Sequence, residues 1–266
     1  MSIKFENTPL PDIIELKNIS QSYDGGKNYI IKDFDLLIED IPNRGQFVVI
    51  LGPSGCGKST VLRYIAGLQN PTKGEVLINS KPRTEEDRIG MVFQQYSSFP
   101  WLTVLENIAL GLQYKGIEKK ERIEKAMEML KIVGLEGHEK KYAQYPTLSG
   151  GQLQRVAIAR SLLVNNQIIL MDEPFGALDT NTRLRMQDFL IGVWTKVQPT
   201  IMLVTHDITE AVYLADDIFI MSNAPANLME HIHVDLPSDR NRTIKRDKGF
   251  IELVQYIEDL MMKMEK

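Results

Sequence analysis

Two groups of residues in this chain have the types and spacing for phosphate chemistry. The first is Gly52-Pro53-Ser54-Gly55-Cys56-Gly57-Lys58-Ser59-Thr60, directly after the apolar run Phe47–Leu51. Glycines at this spacing let backbone N–H groups come close to an anion. A helix opening at Lys58 adds the positive end of its dipole, and Lys58 brings a cation to the outer phosphates. The Ser59 hydroxyl is a hard oxygen ligand suited to Mg2+. Strand, glycine loop and helix in this order is the context that a nucleoside triphosphate site demands. The second group is Asp172-Glu173, which ends the apolar run Ile168–Met171. An acidic pair at the end of a buried strand suits a metal-and-water site. Asp172 is expected to hold Mg2+, directly or through water, and Glu173 to act as the general base on the attacking water.

A third motif narrows the reading. Leu148-Ser149-Gly150-Gly151-Gln152 stands between these two groups. In this order the three motifs resemble those of the ATP-binding cassette (ABC) ATPases, the motor subunits of ABC transporters. The resemblance runs from about Ile13 to Leu260. It implies an α/β fold: a P-loop core, an antiparallel β subdomain and an inserted α-helical subdomain. It implies ATP and Mg2+ as cofactors, with Ser59, Gln94 and Asp172 as metal ligands and Gly52 to Thr60 around the phosphates. By the same resemblance His206 is the switch histidine that contacts the γ-phosphate and positions Glu173. Gln94, preceded by Phe93, matches the glutamine that touches Mg2+ and the lytic water, in preference to Gln95. Tyr23 matches the aromatic that stacks on adenine, although a core tyrosine is the other reading. Ser149, Gly150, Gly151 and Gln152 would close on ATP held by an opposite subunit, and Asp179 belongs to the loop that communicates across that dimer.

Further residues resemble one group of importers. Ser98-Phe99-Pro100-Trp101 after Gln94, and Thr205-His206-Asp207-Ile208-Thr209-Glu210-Ala211, are similar to the ATPases of nitrate, sulfonate and taurine uptake. That resemblance implies a dimer of cassettes, identical or related, on an integral-membrane permease served by an extracytoplasmic substrate-binding protein. Tyr96, Phe99, Pro100 and Trp101 are then either the groove that receives the permease or residues buried in the helical lobe. The alternative is an ATPase of a soluble assembly machine of the iron–sulfur type. The segment Glu39–Gln46 looks longer than the family's usual turn, and Asn223–Asn227 looser.

The elements that must position these residues follow from hydrophobic patterning. Residues 13–41 alternate as short antiparallel strands. The runs 47–51, 168–171, 201–205 and 218–221 are continuous and apolar, as in strands buried on both faces of a mainly parallel sheet. Residues 74–79 form another strand. Thr60–Leu68, Leu184–Val197 and Ile208–Ala215 have helical spacing, and Asp207 with Glu210 marks a helix start. The expected division is an ATP-binding core of 13–95 and 164–235, a helical signature subdomain of 96–163 and a C-terminal helical tail of 236–266. In the tail, Phe250, Leu253, Ile257, Leu260 and Met264 make a stripe that either caps the core or meets a partner.

Composition fits. The chain has 266 residues, enough for one large core with an inserted lobe. A net charge of −4 argues against a nucleic-acid-binding protein, and the single Cys56 excludes an internal disulfide. No apolar stretch is long enough to span a bilayer and the N-terminus lacks a secretory signal. The expected location is therefore peripheral, on the cytoplasmic side of the inner membrane.

Overall fold

The structure is a computed structural model that describes residues 12–42, 44–84, 87, 89–95, 97–164, 167–237 and 240–264. The chain opens with β1 (Ile14–Gln21) and β2 (Ile31–Ile38), which pair antiparallel. Strand β3 (Phe47–Leu51) leads through the glycine loop into helix α1 (Lys58–Ile65). Strands β4 (Lys73–Ile78) and β5 (Lys81–Pro82) complete a four-stranded antiparallel sheet in the order β2-β1-β4-β5.

Next come β6 (Gly90–Val92) and helices α2 (Val104–Tyr114), α3 (Lys119–Ile132) and α4 (Gly150–Val164). The chain returns through β7 (Ile168–Asp172), α5 (Thr180–Val197), β8 (Thr200–Thr205), α6 (Ile208–Leu214) and β9 (Asp217–Met221). It ends with β10 (Leu228–His233), a short 3-10 turn (Arg242–Arg246) and α7 (Lys248–Met264). The second sheet has six strands in the order β10-β9-β3-β8-β7-β6. Every pairing in it is parallel except β10 on β9.

The apolar strands explain this layering. Side chains alternate between the two faces of a strand. Val48 and Ile50 of β3, Ile168 and Leu170 of β7, and Met202 and Val204 of β8 enter one apolar cluster, with α1 and the antiparallel sheet. Phe47, Val49, Leu51, Ile169, Met171, Ile201 and Leu203 enter the other. That second cluster also takes Val104 and Ile108 of α2, Leu130 of α3 and Val156 of α4. The inserted helices thus share one core with a face of the central sheet. Phe250 and Ile257 of α7 are buried in it, and Leu253, Leu260 and Met264 pack against it, so the stripe caps the core.

Three features depart from the sequence expectations. Helix α1 stops at Ile65, and Leu68, counted in its apolar stripe, is 61% exposed beyond Gly67 at φ +75°. Glycine reaches that conformation without a Cβ clash, so the chain turns there and the periodicity runs past the helix. Helix α5 begins at Thr180 and not at Leu184, because Asp179 caps it. Strand β10 was not expected.

The two loops that looked unusual are both tied down. Lys32 N donates to Ala226 O and Ala226 N to Ile30 O, so the 223–227 segment joins the two sheets. Arg44 donates to Asp216, and Gln46 to the Glu39 carbonyl, which closes the 39–46 loop on itself. Asn43 of that loop lies outside the described residues.

Candidate functional site

The phosphate loop leaves the end of β3 and enters α1. Gly55 and Gly57 sit at φ +81° and +104°, and a Cβ on Gly57 would lie 2.9 Å from the Ile31 side chain. Only glycine fits Gly57 on both counts. Helix α1 has no side chain capping its first turn, so its leading N–H groups are free for an anion. Lys58 is buried, and its Nζ donates to the carbonyls of Gly52 at 2.9 Å and Pro53 at 2.8 Å. The ammonium is thereby held inside the ring of the loop. Ser54 and Gly55 are exposed, and Pro53, Ser59 and Thr60 are half-buried.

Cys56 points the other way. Its side chain is buried in the apolar cluster beneath the loop, and burial pushes its thiol pKa up. Among the loop residues expected at ATP, it therefore has only its backbone to offer.

Across the loop, Ser59 Oγ donates to Asp172 Oδ1 at 2.7 Å. Burial raises the Asp172 pKa and the neighbouring Glu173 adds to this, against the Ser59 hydrogen bond. Two hard oxygens at that separation fit Mg2+, whose octahedral ligands lie about 2.9 Å apart. A cation here would also offset the charge that burial disfavours. Among the described residues no group of three or more His, Cys, Asp or Glu could hold a metal. A Mg2+ ion at this place would accordingly take most of its shell from phosphate and water.

Glu173 follows Asp172 with φ +43°. Its N–H donates to Val204 O at 3.0 Å, which ties the end of β7 to β8. One strand over, His206 Nδ1 lies 3.2 Å from Glu173 Oε1. Gln94 follows β6 and lines the same cavity of about 100 Å3 as Glu173 and His206. Gln95 is not among the residues lining that cavity. Gly176 makes room for Gln94: a Cβ there would lie 2.7 Å from Gln94 Nε2.

The cavity has members that sequence reasoning missed. Arg183, Thr205 and Glu210 line it as well. Glu210 was read only as the start of α6, and Asp207 does cap that helix by accepting from Glu210 N at 2.9 Å. Its side chain, however, is buried, and burial pushes its pKa up to about 7. The clue in the sequence was its place, four residues after His206 in the first turn of a helix.

The remaining expected residues lie apart. Tyr23 is 63% exposed and accepts from Gln69 Nε2 at 3.0 Å, so it is not a core tyrosine. Ser149 and Gln152 cap the start of α4 reciprocally. Gly150 opens that helix, and Gly151 packs on Thr182 of α5. Asp179 accepts from Asn181 N and Thr182 N, and the Thr182 side chain first, then these backbone bonds, hold its carboxyl below the usual range. Among the described residues no hydrogen bond or cavity joins Ser149–Gln152 to the phosphate loop. Trp101 is 67% exposed with its ring 5.2 Å from Phe99, and Pro100 is exposed, which removes the reading that Trp101 is buried in the lobe. Tyr96 lies outside the described residues.

The chain is similar to known proteins. The ABC transporter family model matches residues 41–176. A nitrate import ATP-binding protein of Synechocystis is 41% identical, with 93% of this chain and 94% of that protein covered. A taurine import ATP-binding protein of Escherichia coli is 41% identical over 92% of this chain and 95% of its own length. The dimeric, post-hydrolysis structure of an ATP-binding cassette with ADP and Pi superposes with a TM-score of 0.69. It is 35% identical, and 85% of this chain and all of that one are covered.

Proposed function

This chain belongs to the ABC transporter family, as the ATP-hydrolysing subunit of an importer, and we propose that hydrolysis takes place in the cavity between Glu173, His206 and Gln94. The convergence of those three side chains on one cavity, next to the Ser59–Asp172 pair, is the observation that carries the reading. ATP lies with its phosphates on Gly52–Thr60 and Lys58, and its adenine on Tyr23. Ser59, Asp172 and Gln94 would hold Mg2+, and the ion would supply neutralisation of phosphate charge. Glu173 takes the proton of the attacking water. His206 orients that carboxylate and contacts the γ-phosphate, and Gln94 holds the water in line.

Among the described residues no hydrogen bond or cavity joins Ser149–Gln152 to the phosphate loop of their own chain. They close on ATP held by a second copy, with Asp179 at the junction; the dimeric cassette with ADP and Pi supports this reading. The Phe99–Pro100–Trp101 segment, in which Pro100 and Trp101 are exposed and Phe99 is half-buried, receives a membrane permease. No helix of the described residues is long and apolar enough to cross a membrane, so the permease supplies the passage and the chain works at its cytoplasmic face. The import names of the relatives support a transporter over a soluble assembly machine. They also support a small nitrogen- or sulfur-bearing solute such as nitrate or taurine, and we propose that an extracytoplasmic binding protein delivers it. Purified Glu173→Gln chain with ATP and Mg2+ tests the core of this. The expected result is an ATP-dependent dimer with turnover reduced by orders of magnitude. A monomer that still hydrolyses ATP at the unmutated rate overturns it.

A further inference from the structure

His206 is presented by the turn between β8 and α6, whose Asp207 caps α6 and pairs with Arg183 of α5 at 3.9 Å. The Asp207 N–H donates to Thr205 Oγ1 at 3.1 Å. Asp207 Oδ1 in turn accepts from the Glu210 N–H at 2.9 Å. Gln187 of α5 donates its Nε2 to Glu210 Oε2 at 3.0 Å, in buried surroundings. Its other end accepts from Lys245 Nζ at 3.2 Å. A glutamine bridging an ammonium and a carboxylate has only one amide orientation that satisfies both partners, oxygen toward the cation and nitrogen toward the acid. The chain of bonds is therefore directional and complete.

Lys245 belongs to the 3-10 turn after the last strand, far in sequence from every nucleotide motif. Two cations seat that turn. Lys245 also stands 4.3 Å from the centre of the Tyr213 ring, and Arg242 pairs with Asp188 of α5, which accepts from the Tyr213 hydroxyl as well. The C-terminal turn is thus clamped on the two helices, α5 and α6, that flank the His206 turn.

We propose that Lys245 is a positioning residue for ATP hydrolysis, acting through Gln187 and Glu210 to hold the Thr205–Asp207 turn that presents His206. The proposal rests on the reading of His206 as a member of the hydrolytic site. In this arrangement the segment after β10 sets turnover, and anything that lifts the 3-10 turn off α5 slows hydrolysis without displacing ATP.

The test is steady-state ATP hydrolysis by the full chain with Mg2+, comparing Lys245→Met, Lys245→Arg, Gln187→Met and the Lys245→Met/Gln187→Met double variant. Methionine keeps the length and the packing on Tyr213 but cannot donate; arginine can. Couplings through packed networks are commonly worth about 2- to 30-fold. Lys245→Met is expected to lower kcat about three- to tenfold, with the KM for ATP changed less than about twofold. Lys245→Arg should recover most of that loss. The double variant should be no slower than the slower single one, because both break one chain. Unchanged kcat in Lys245→Met, multiplying effects in the double variant, or an equal loss in Lys245→Arg overturns the link. His206→Ala separates the two readings. If it turns over normally, the site assignment fails and this proposal with it; if it is slow while Lys245→Met is normal, only the link fails.

Discussion

The backbone at Glu173 offers a test in which strain and catalysis are read from the same position. At φ +43° a residue with a Cβ is in the left-handed region, which costs roughly 1–2 kcal/mol. Such conformations persist where surrounding bonds enforce them. Here Glu173 N donates to Val204 O and Gly176 N donates to Glu173 O, each at 3.0 Å. Glu173→Ala removes the carboxylate and keeps the strain. Glu173→Gly removes both, at a cost of about 0.5–1 kcal/mol in unfolded-chain entropy. The contact to His206 is lost in both variants and cancels. The Gly variant should therefore be more stable than the Ala variant by roughly 0.5–1 kcal/mol, the reverse of the order at an ordinary position. At about 2–4 °C per kcal/mol for a domain near this size, its unfolding midpoint should be about 1–4 °C higher. Calorimetry of both nucleotide-free variants at one scan rate measures this, and ATP turnover is followed alongside. Both should lose turnover by about a hundredfold or more, as general-base loss implies. An Ala variant at least as stable as the Gly variant refutes the strain argument, and near-normal turnover in either refutes the role of base.

Gly176→Ala places a methyl against the amide of Gln94 and pushes that flexible side chain out of the cavity. Turnover should fall about tenfold, with ATP affinity nearly unchanged; equal kcat in the two proteins sinks this. Glu210 gives a pH test. Its pKa rises from 4.5 to about 7 on folding, so the folded chain binds the proton more tightly. That contribution is complete below pH about 4.5 and is lost as pH rises through about 7. Glu210→Gln, which does not titrate, should gain stability relative to the unmutated chain across that window, by up to roughly 3 kcal/mol. Urea unfolding at pH 5 and pH 8 reads it, and a difference that does not change with pH refutes it. Trp101→Ala should weaken assembly with the permease by about tenfold or more, as loss of an aromatic hot spot does, and leave ATP affinity intact. Co-purification in detergent decides this, and undiminished assembly counts against the docking surface.

Much of the fold was legible because the central strands are apolar on both faces. Phe47–Leu51, Ile168–Met171, Ile201–Thr205 and Ile218–Met221 carry no polar residue inside to confuse the pattern, and each became a strand. Leu228–His233 escaped notice because it is an edge strand: Ile232 alone is buried, Glu230 is half-buried, and His231 and His233 are exposed. Leu68 misled because helical spacing says nothing of where Gly67 ends the helix. In the site, Gln94, Glu173 and His206 were legible from their motifs, and the structure gathers them around one cavity. Glu210 and Gln187 were not. Their pairing depends on α5 and α6 lying side by side, which no local pattern encodes. Tyr23 and Trp101 were each left with two readings, and exposure alone chose between them.

The strand under the phosphate loop bears on how the chain is made. Both neighbours of β3, which are β8 and β9, come from the far end of the sequence. While the ribosome is still adding residues, β1, β2 and β4 can already pair, but Phe47–Leu51 has no strand to join until Thr205 has emerged, and its second neighbour follows only with Met221. At ordinary rates of synthesis that delay is on the order of 10–30 s. Throughout it a wholly apolar segment stays unpaired and the glycine loop has nothing beneath it. The nascent chain therefore gains nothing from ATP until it is nearly complete, and this interval is when a chaperone has most to protect.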